Sequence, residues 1–273
     1  MENHKLSKLQ KAELDIFKVF LKICEENNLH YYIAGGTFLG AVRHKGFIPW
    51  DDDIDIVVPR PDFEKFLEIA PALLPDDLYL STYKNNPEHI VLVAQILSKN
   101  KQFTLNNANK VVKTGAWIDL LVLDGAPEPG LKRKIFGIRY LYHRMMNQFA
   151  HFDEVVNMNI ERPLHERVAI KFAQITNIEK HLDAVKVGDA MHKFLKEIPY
   201  ENSKYVGSFM GIAKMKEIVP REYYGVGSDY EFEGITVKGP DMYDEFNTHF
   251  YGDYMTPPPE DKRNRHNVKE DLE

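Results

Sequence analysis

The chain lacks most features that would place it outside a cell, across a membrane or on nucleic acid. It holds a single cysteine, Cys24, in 273 residues, which excludes an internal disulfide and fits a reducing compartment. Cys24 falls among Phe17, Phe20 and Leu21 in a helical pattern, the setting of a packed thiol rather than a nucleophile. No run of about 18 apolar residues occurs, and residues 1–11 are polar and charged, unlike a secretory leader. The expectation is a cytosolic protein, reaching at most the inner face of a membrane. A basic excess is also missing. With 35 Lys and Arg against 41 Asp and Glu, the formal net charge is -6, which argues against nucleic acid as a partner. There is no Walker motif and no Gly-x-Gly-x-x-Gly, so a P-loop NTPase is excluded. Eleven histidines, His44, His89 and His143 among them, show no zinc spacing.

What the chain does have is concentrated between Gly35 and Ile56. Gly35-Gly36-Thr37 follows the apolar Tyr31-Tyr32-Ile33-Ala34, the basic cluster Arg43-His44-Lys45 comes next, and Asp51, Asp53 and Asp55 then alternate with Ile54 and Ile56. In a strand, alternate residues share a face, so three carboxylates face one side while the isoleucines face a core. Like charges stacked in this way require a cation. Ligands that are all oxygen suit a hard divalent ion, magnesium or manganese. Asp52 points to the opposite face under the same alternation. A surface charge run fits poorly with the interleaved isoleucines. An EF-hand fails because Ile56 stands where its glycine belongs and Asp62 where its glutamate belongs. A strand-borne metal centre for phosphoryl chemistry fits, and Asp119 is its natural third carboxylate. It interrupts the apolar run 117–123, where an unpartnered carboxylate would cost several kcal/mol. Asp124-Gly125 reads as turn chemistry closing that strand.

Periodicity predicts a helix over residues 9–27, a strand at 31–34, a helix opening at 38–43, and a strand at 53–58 stopped by Pro59 and Pro61. Further along it predicts a helix at 62–70, strands at 90–97 and 117–123, a helical stretch over about 131–196, and a strand at 230–237 with Gly234 inside. The tail from 257 to 273 reads as irregular. The implied class is α+β, a mixed sheet flanked by helices with a helical insertion in mid-chain. Within that insertion Leu131, Ile135, Ile138, Tyr142, Met145 and Phe149 fall on one stripe of residues 131–149, with Lys132, Arg133, Arg139, His143 and Arg144 largely opposite. Such a helix can lie on an anionic membrane surface. The ordinary reading, an apolar stripe facing the core, is preferred.

The segment from Gly35 to Ile56 closely resembles the signature of the LicD family of phosphotransferases, whose fold is of the nucleotidyltransferase type; fukutin-related proteins are similar over the same segment. The resemblance continues through Trp117-Ile118-Asp119 to Asp124-Gly125 and at Tyr251-Gly252-Asp253-Tyr254 to Pro258. It implies a single catalytic domain, with a nucleotidyltransferase core at about 9–125 and 203–256 and a helical subdomain at about 131–202. It implies Asp53 and Asp55 as the metal pair, Asp51 as an accessory ligand, and Asp119 as third ligand or as base for the attacking hydroxyl. Gly35, Gly36, Thr37 and Arg43 would hold the nucleotide's phosphates, and Arg43 and Lys45 would stabilise departing CMP. Arg263 and His266 either reach the diphosphate or belong to a charged tail. The implied activity is Mg2+-dependent transfer of phosphorylcholine, or a related phosphoryl-linked group, from CDP-choline or a similar donor. The acceptor would be a cell-surface glycan such as teichoic acid or lipopolysaccharide, in some cases lipid-linked. Nucleotidyl transfer from an NTP and silent binding of nucleotide or glycan are the alternatives.

Overall fold

The computed structural model describes residues 6–106, 111–156, 163–211, 213–259, 263 and 268–269. Helix α1 (Lys8–Asn27) opens with a capping box, in which Ser7 accepts the Gln10 N–H and the Gln10 side chain accepts the Ser7 N–H. Its apolar face, with Ile16, Phe17 and Phe20, is buried. β1 (Tyr32–Ile33) leads into α2 (Gly35–His44), so the glycines are themselves the first turn of a helix expected only from residue 38. β2 (Asp55–Pro59) passes directly into α3 (Arg60–Leu73). Pro61 in the first turn of α3 sits where a missing N–H costs nothing.

β3 (Leu78–Ser81), β4 (Ala94–Asn106) and β5 (Val111–Ala126) complete the main sheet. Its order runs β1-β2-β5-β4, with β2 and β5 parallel and β1–β2, β4–β5 and β3–β4 antiparallel. The sheet is mixed and flanked by helices, as the element order implied. Its centre is apolar on both faces: Ile56, Ile96, Ile118, Leu120 and Val122 are fully buried on one, and Val57 and Leu123 are buried on the other, which also carries Asp55 and Asp119. Strand β5 is longer than expected, so Asp124-Gly125 is not a turn. Both residues pair with β6 (Tyr205–Gly207), which pairs in turn with β7 (Val219–Pro220).

The mid-chain stretch is helical as expected: α4 (Leu131–Ala150), α5 (Phe152–Val155), α6 (Leu164–Thr176) and α7 (Ala184–Leu195). α4 and α7 share a second apolar cluster with Phe136, Tyr140, Met191, Phe194 and Phe209. The preferred reading of α4 is therefore corrected. The helix turns Phe136 and Tyr140 inward, while Leu131, Ile135, Ile138, Tyr142 and Met145 are exposed and Phe149 alone of the expected stripe is buried. Arg133 and Arg144, expected on a solvated face, turn inward and donate to the carbonyls of Pro127 and Gly211. The expected strand at 230–237 is a hairpin of β8 (Ser228–Phe232) and β9 (Ile235–Gly239), turned by Glu233 and Gly234, both at positive φ. α8 (Tyr243–Tyr251) follows. The tail is not wholly irregular, because β10 (Val268–Lys269) pairs with the far end of β4.

Candidate active site

Backbone register builds the acidic site. Asp55, at the head of β2, lies beside Asp119 in the parallel β5, and the Asp119 N–H donates to Ile54 O at 2.9 Å. Residues 51–54 approach β2 as irregular chain, so the strict alternation assumed for Asp51, Asp52 and Asp53 does not hold. The structure nonetheless brings Asp53, Asp55 and Asp119 together, each offering a carboxylate oxygen within 4.8 Å of the others. Desolvation, followed by the charges of Asp53, Asp119 and Asp51, raises the Asp55 carboxyl well above its ordinary range.

Thr37 shapes this turn rather than facing outward. It is buried; its hydroxyl accepts the Asp55 N–H at 2.9 Å and donates to Asp53 O at 3.4 Å. That hydroxyl clasps the backbone that carries two of the aspartates. The glycines make room for the same carboxylates. Gly35 has φ +53, and a Cβ there would stand 2.5 Å from Asp55 Oδ2, while a Cβ on Gly36 would overlap Asp51 Oδ2. The N-terminus of α2, with its positive dipole end, thus packs against Asp51 and Asp55.

The basic residues divide. Arg43 donates to Tyr254 O at 3.0 Å and lies over the Trp50 ring at 5.9 Å. Arg263 returns from beyond the proline run to stack on the same ring at 4.1 Å. Trp50 thereby gathers two guanidinium groups beside Asp51. Lys45 instead donates to Glu231 Oε2 of β8 at 2.9 Å, and fastens the end of α2 to the hairpin. His266 lies outside the described residues.

Four further residues emerge to which the sequence alone assigned no part. Gln95, directly across from Asp119 in β4, donates to Asp119 Oδ1 at 2.7 Å; it is the donor that a carboxylate in an apolar strand demanded, and only the pairing register reveals it. Glu13 of α1 is completely buried, and neither carboxylate oxygen has a hydrogen-bond partner among the described residues. Burial and then the charges of Asp53, Asp52, Asp119 and Asp51 push its carboxyl far upward. Gln10, one turn earlier, donates to Asp51 O at 2.8 Å, so this face of α1 backs the acidic loop. A glutamate among Leu9, Ala12, Ile16 and Phe17 was the available signal. Tyr251, at the end of α8, has its phenol raised by burial and by the charges of Asp55, Asp51, Glu217 and Asp53.

Asp124 has a different task from the turn role expected of it. Buried at 1% exposure, it accepts two hydrogen bonds from Arg60, at 2.7 and 2.6 Å. Arg60 also approaches His192 Nδ1 of α7 at 3.1 Å, so one guanidinium joins α3, β5 and the helical region. A cavity of about 710 Å³ opens among His30, Tyr32, Pro59, Tyr200, Lys204 and Arg221. Pro59 ends the strand that Asp55 begins, so this cavity opens at the opposite end of β2 from the aspartates.

Three carboxylates at the head of a mixed sheet, faced by a helix that starts on glycine, are features of a nucleotidyltransferase-type centre, and residues 28–154 match the family described as LicD/FKTN/FKRP, nucleotidyltransferase domain. The chain thus carries a LicD-family domain over these residues, just under half of its length. It is 28% identical over 274 aligned residues to the lipopolysaccharide cholinephosphotransferase LicD of Haemophilus influenzae, covering 99% of this chain and 98% of that protein. An uncharacterised protein of Rickettsia typhi is 48% identical over 50 residues, 18% of this chain and 16% of its own length. One of Rickettsia prowazekii is 28% identical over 171 residues, 58% of this chain and 59% of its own.

Proposed function

We propose that the chain transfers phosphorylcholine, or a similar phosphoryl-linked group, from a CDP-activated donor to a hydroxyl of a cell-surface glycan. One observation carries the reading: Asp53, Asp55 and Asp119 converge in a chain similar along nearly its whole length to a lipopolysaccharide cholinephosphotransferase. A divalent ion fits the donors present. The set is all oxygen, as magnesium or manganese requires, and Glu13 stands behind it with two buried oxygens that no group among the described residues satisfies. Buried groups of this kind mark a missing ion or water. Asp53, Asp55 and Asp119 would hold the ion, with Asp51 and Glu13 supporting it. When bound it would draw charge from the donor's diphosphate oxygens.

The remaining steps belong to the chain's own residues. Gln95 fixes the orientation of Asp119, and Asp119 takes the proton of the acceptor hydroxyl. That oxygen forms a bond to the choline-bearing phosphorus as the bond from phosphorus to the bridging oxygen breaks. CMP leaves with the electron pair. Arg43 and Arg263, gathered on Trp50, receive the charge that accumulates on CMP. Glycan of the lipopolysaccharide or teichoic-acid kind, in some cases lipid-linked, is the acceptor this reading requires.

CDP-choline labelled in its choline, supplied with and without magnesium, tests the reading. Magnesium-dependent CMP release with label on the acceptor is the expected result. Pyrophosphate release from an NTP, with its α-phosphate on the acceptor, would replace it with nucleotidyl transfer. Nucleotide binding without turnover across donors and acceptors would leave a binding protein.

A further inference from the structure

α4 is apolar on two opposite sides. One side, with Phe136 and Tyr140, is buried against α7, and Arg133 and Arg144 pin the helix there through backbone carbonyls. On the other, Leu131 is 73% exposed, Ile138 71%, Tyr142 54% and Ile135 50%. α6 repeats the pattern: it packs inward through Ala173, which clusters with Phe149 and Phe152, and leaves Leu164, Val168, Phe172 and Ile175 exposed at helical spacing. Single exposed apolar residues are ordinary. A row on each of two packed helices marks a surface that something covers.

Charge identifies the cover. α4 carries five Lys and Arg and no Asp or Glu, and α6 adds Arg167 and Lys171 against Glu166, in a chain of formal net charge -6. Lys132, Lys134, Arg139, Arg167 and Lys171 are all exposed. The acidic excess of the molecule is therefore elsewhere. A second copy of the chain on this face would set cationic flanks against cationic flanks, which is repulsive. An anionic lipid surface accepts both features, the apolar row entering the acyl boundary and the lysines and arginines meeting headgroups. No helix among the described residues is long and apolar enough to cross a membrane, so the contact is with the surface.

We propose that α4 and α6 form a docking surface for an anionic phospholipid membrane. The proposal concerns a face of the helical region and does not depend on the donor chemistry, so its test needs no substrate. The full chain is mixed with phosphatidylcholine vesicles, with and without phosphatidylglycerol, and sedimented. Wild type is expected to follow the anionic vesicles, more weakly at high salt, and largely to ignore the neutral ones. Ile135→Glu with Ile138→Glu, and separately Lys132→Glu with Lys134→Glu, should each lower partitioning on the order of tenfold or more, with unchanged circular dichroism and melting temperature. The proposal is overturned by wild type that stays in the supernatant, by variants that sediment like wild type, or by equal binding to neutral vesicles. It is equally overturned by a wild-type dimer in light scattering that the isoleucine variant dissolves, since the second copy is then the occupant.

Discussion

The sheet end that carries the aspartates and the helical region of α4 to α7 use charge in opposite ways. At the sheet, like charges are forced together. Asp53, Asp55 and Asp119 crowd one point, Glu13 is buried behind them without a hydrogen-bond partner among the described residues, and hydrogen bonds from Thr37, Gln95 and Gln10 hold the carriers in place. In the helical region charge is spread outward along helix flanks and the apolar residues are unsatisfied instead. The first region crowds charge of one sign; the second leaves rows of apolar residues facing outward. Arg60, bound to Asp124 and touching His192, is the joint between them.

The sharpest way to break the comparison is to remove the crowding. Asp53→Ala or Asp55→Ala should lower transfer by roughly a hundredfold to a thousandfold, while thermal melting without metal stays equal or rises because repulsion is relieved. Full activity in a folded variant would remove the aspartates from the chemistry. Next in size is the joint. Arg60→Ala leaves Asp124 buried and unpaired and should cost about 3–5 kcal/mol in urea unfolding. A loss near zero would mean that the two regions are not coupled through it.

Gly36→Ala places a methyl group on the Asp51 carboxylate. It should weaken Mn2+ binding, read by titration calorimetry, with a smaller loss of stability, about 1–3 kcal/mol. The pH dependence follows from Glu13 and Asp55, whose folded pKa values are both raised. The unfolded chain loses these protons first as pH rises through the ordinary carboxylate range, so the metal-free protein should lose stability as pH climbs above that range toward the raised folded values. Glu13→Gln, which cannot ionise, should flatten that decline and reduce the melting-temperature gain from added magnesium. An unchanged slope would show that Glu13 does not feel the cluster. Smallest of all, the Ile135→Glu, Ile138→Glu pair should move stability by no more than about 1 kcal/mol, because those side chains already face solvent.

Much of this could be read in the residues before the fold was known. The alternation around Ile54 and Ile56 marked a buried strand, and the lone Asp119 in an apolar run required a partner. The misreadings share one cause. Asp124 and the apolar stripe of α4 were each assigned from their neighbours in sequence, and each was reassigned by residues far away: Arg60 for Asp124, and the α7 residues that draw Phe136 and Tyr140 inward for α4.

The sequence by itself determined the chemistry the chain can offer: hard oxygen donors, a glycine turn, guanidinium groups and helices with apolar stripes, because residue type and short-range periodicity depend only on neighbours. The tertiary structure alone decided which of these meet. Register set Gln95 beside Asp119, helix packing buried Glu13 behind the acidic loop, and the placement of α7 chose which side of α4 would face water. Those outcomes turn on contacts between residues tens of positions apart, whose energies no local pattern contains.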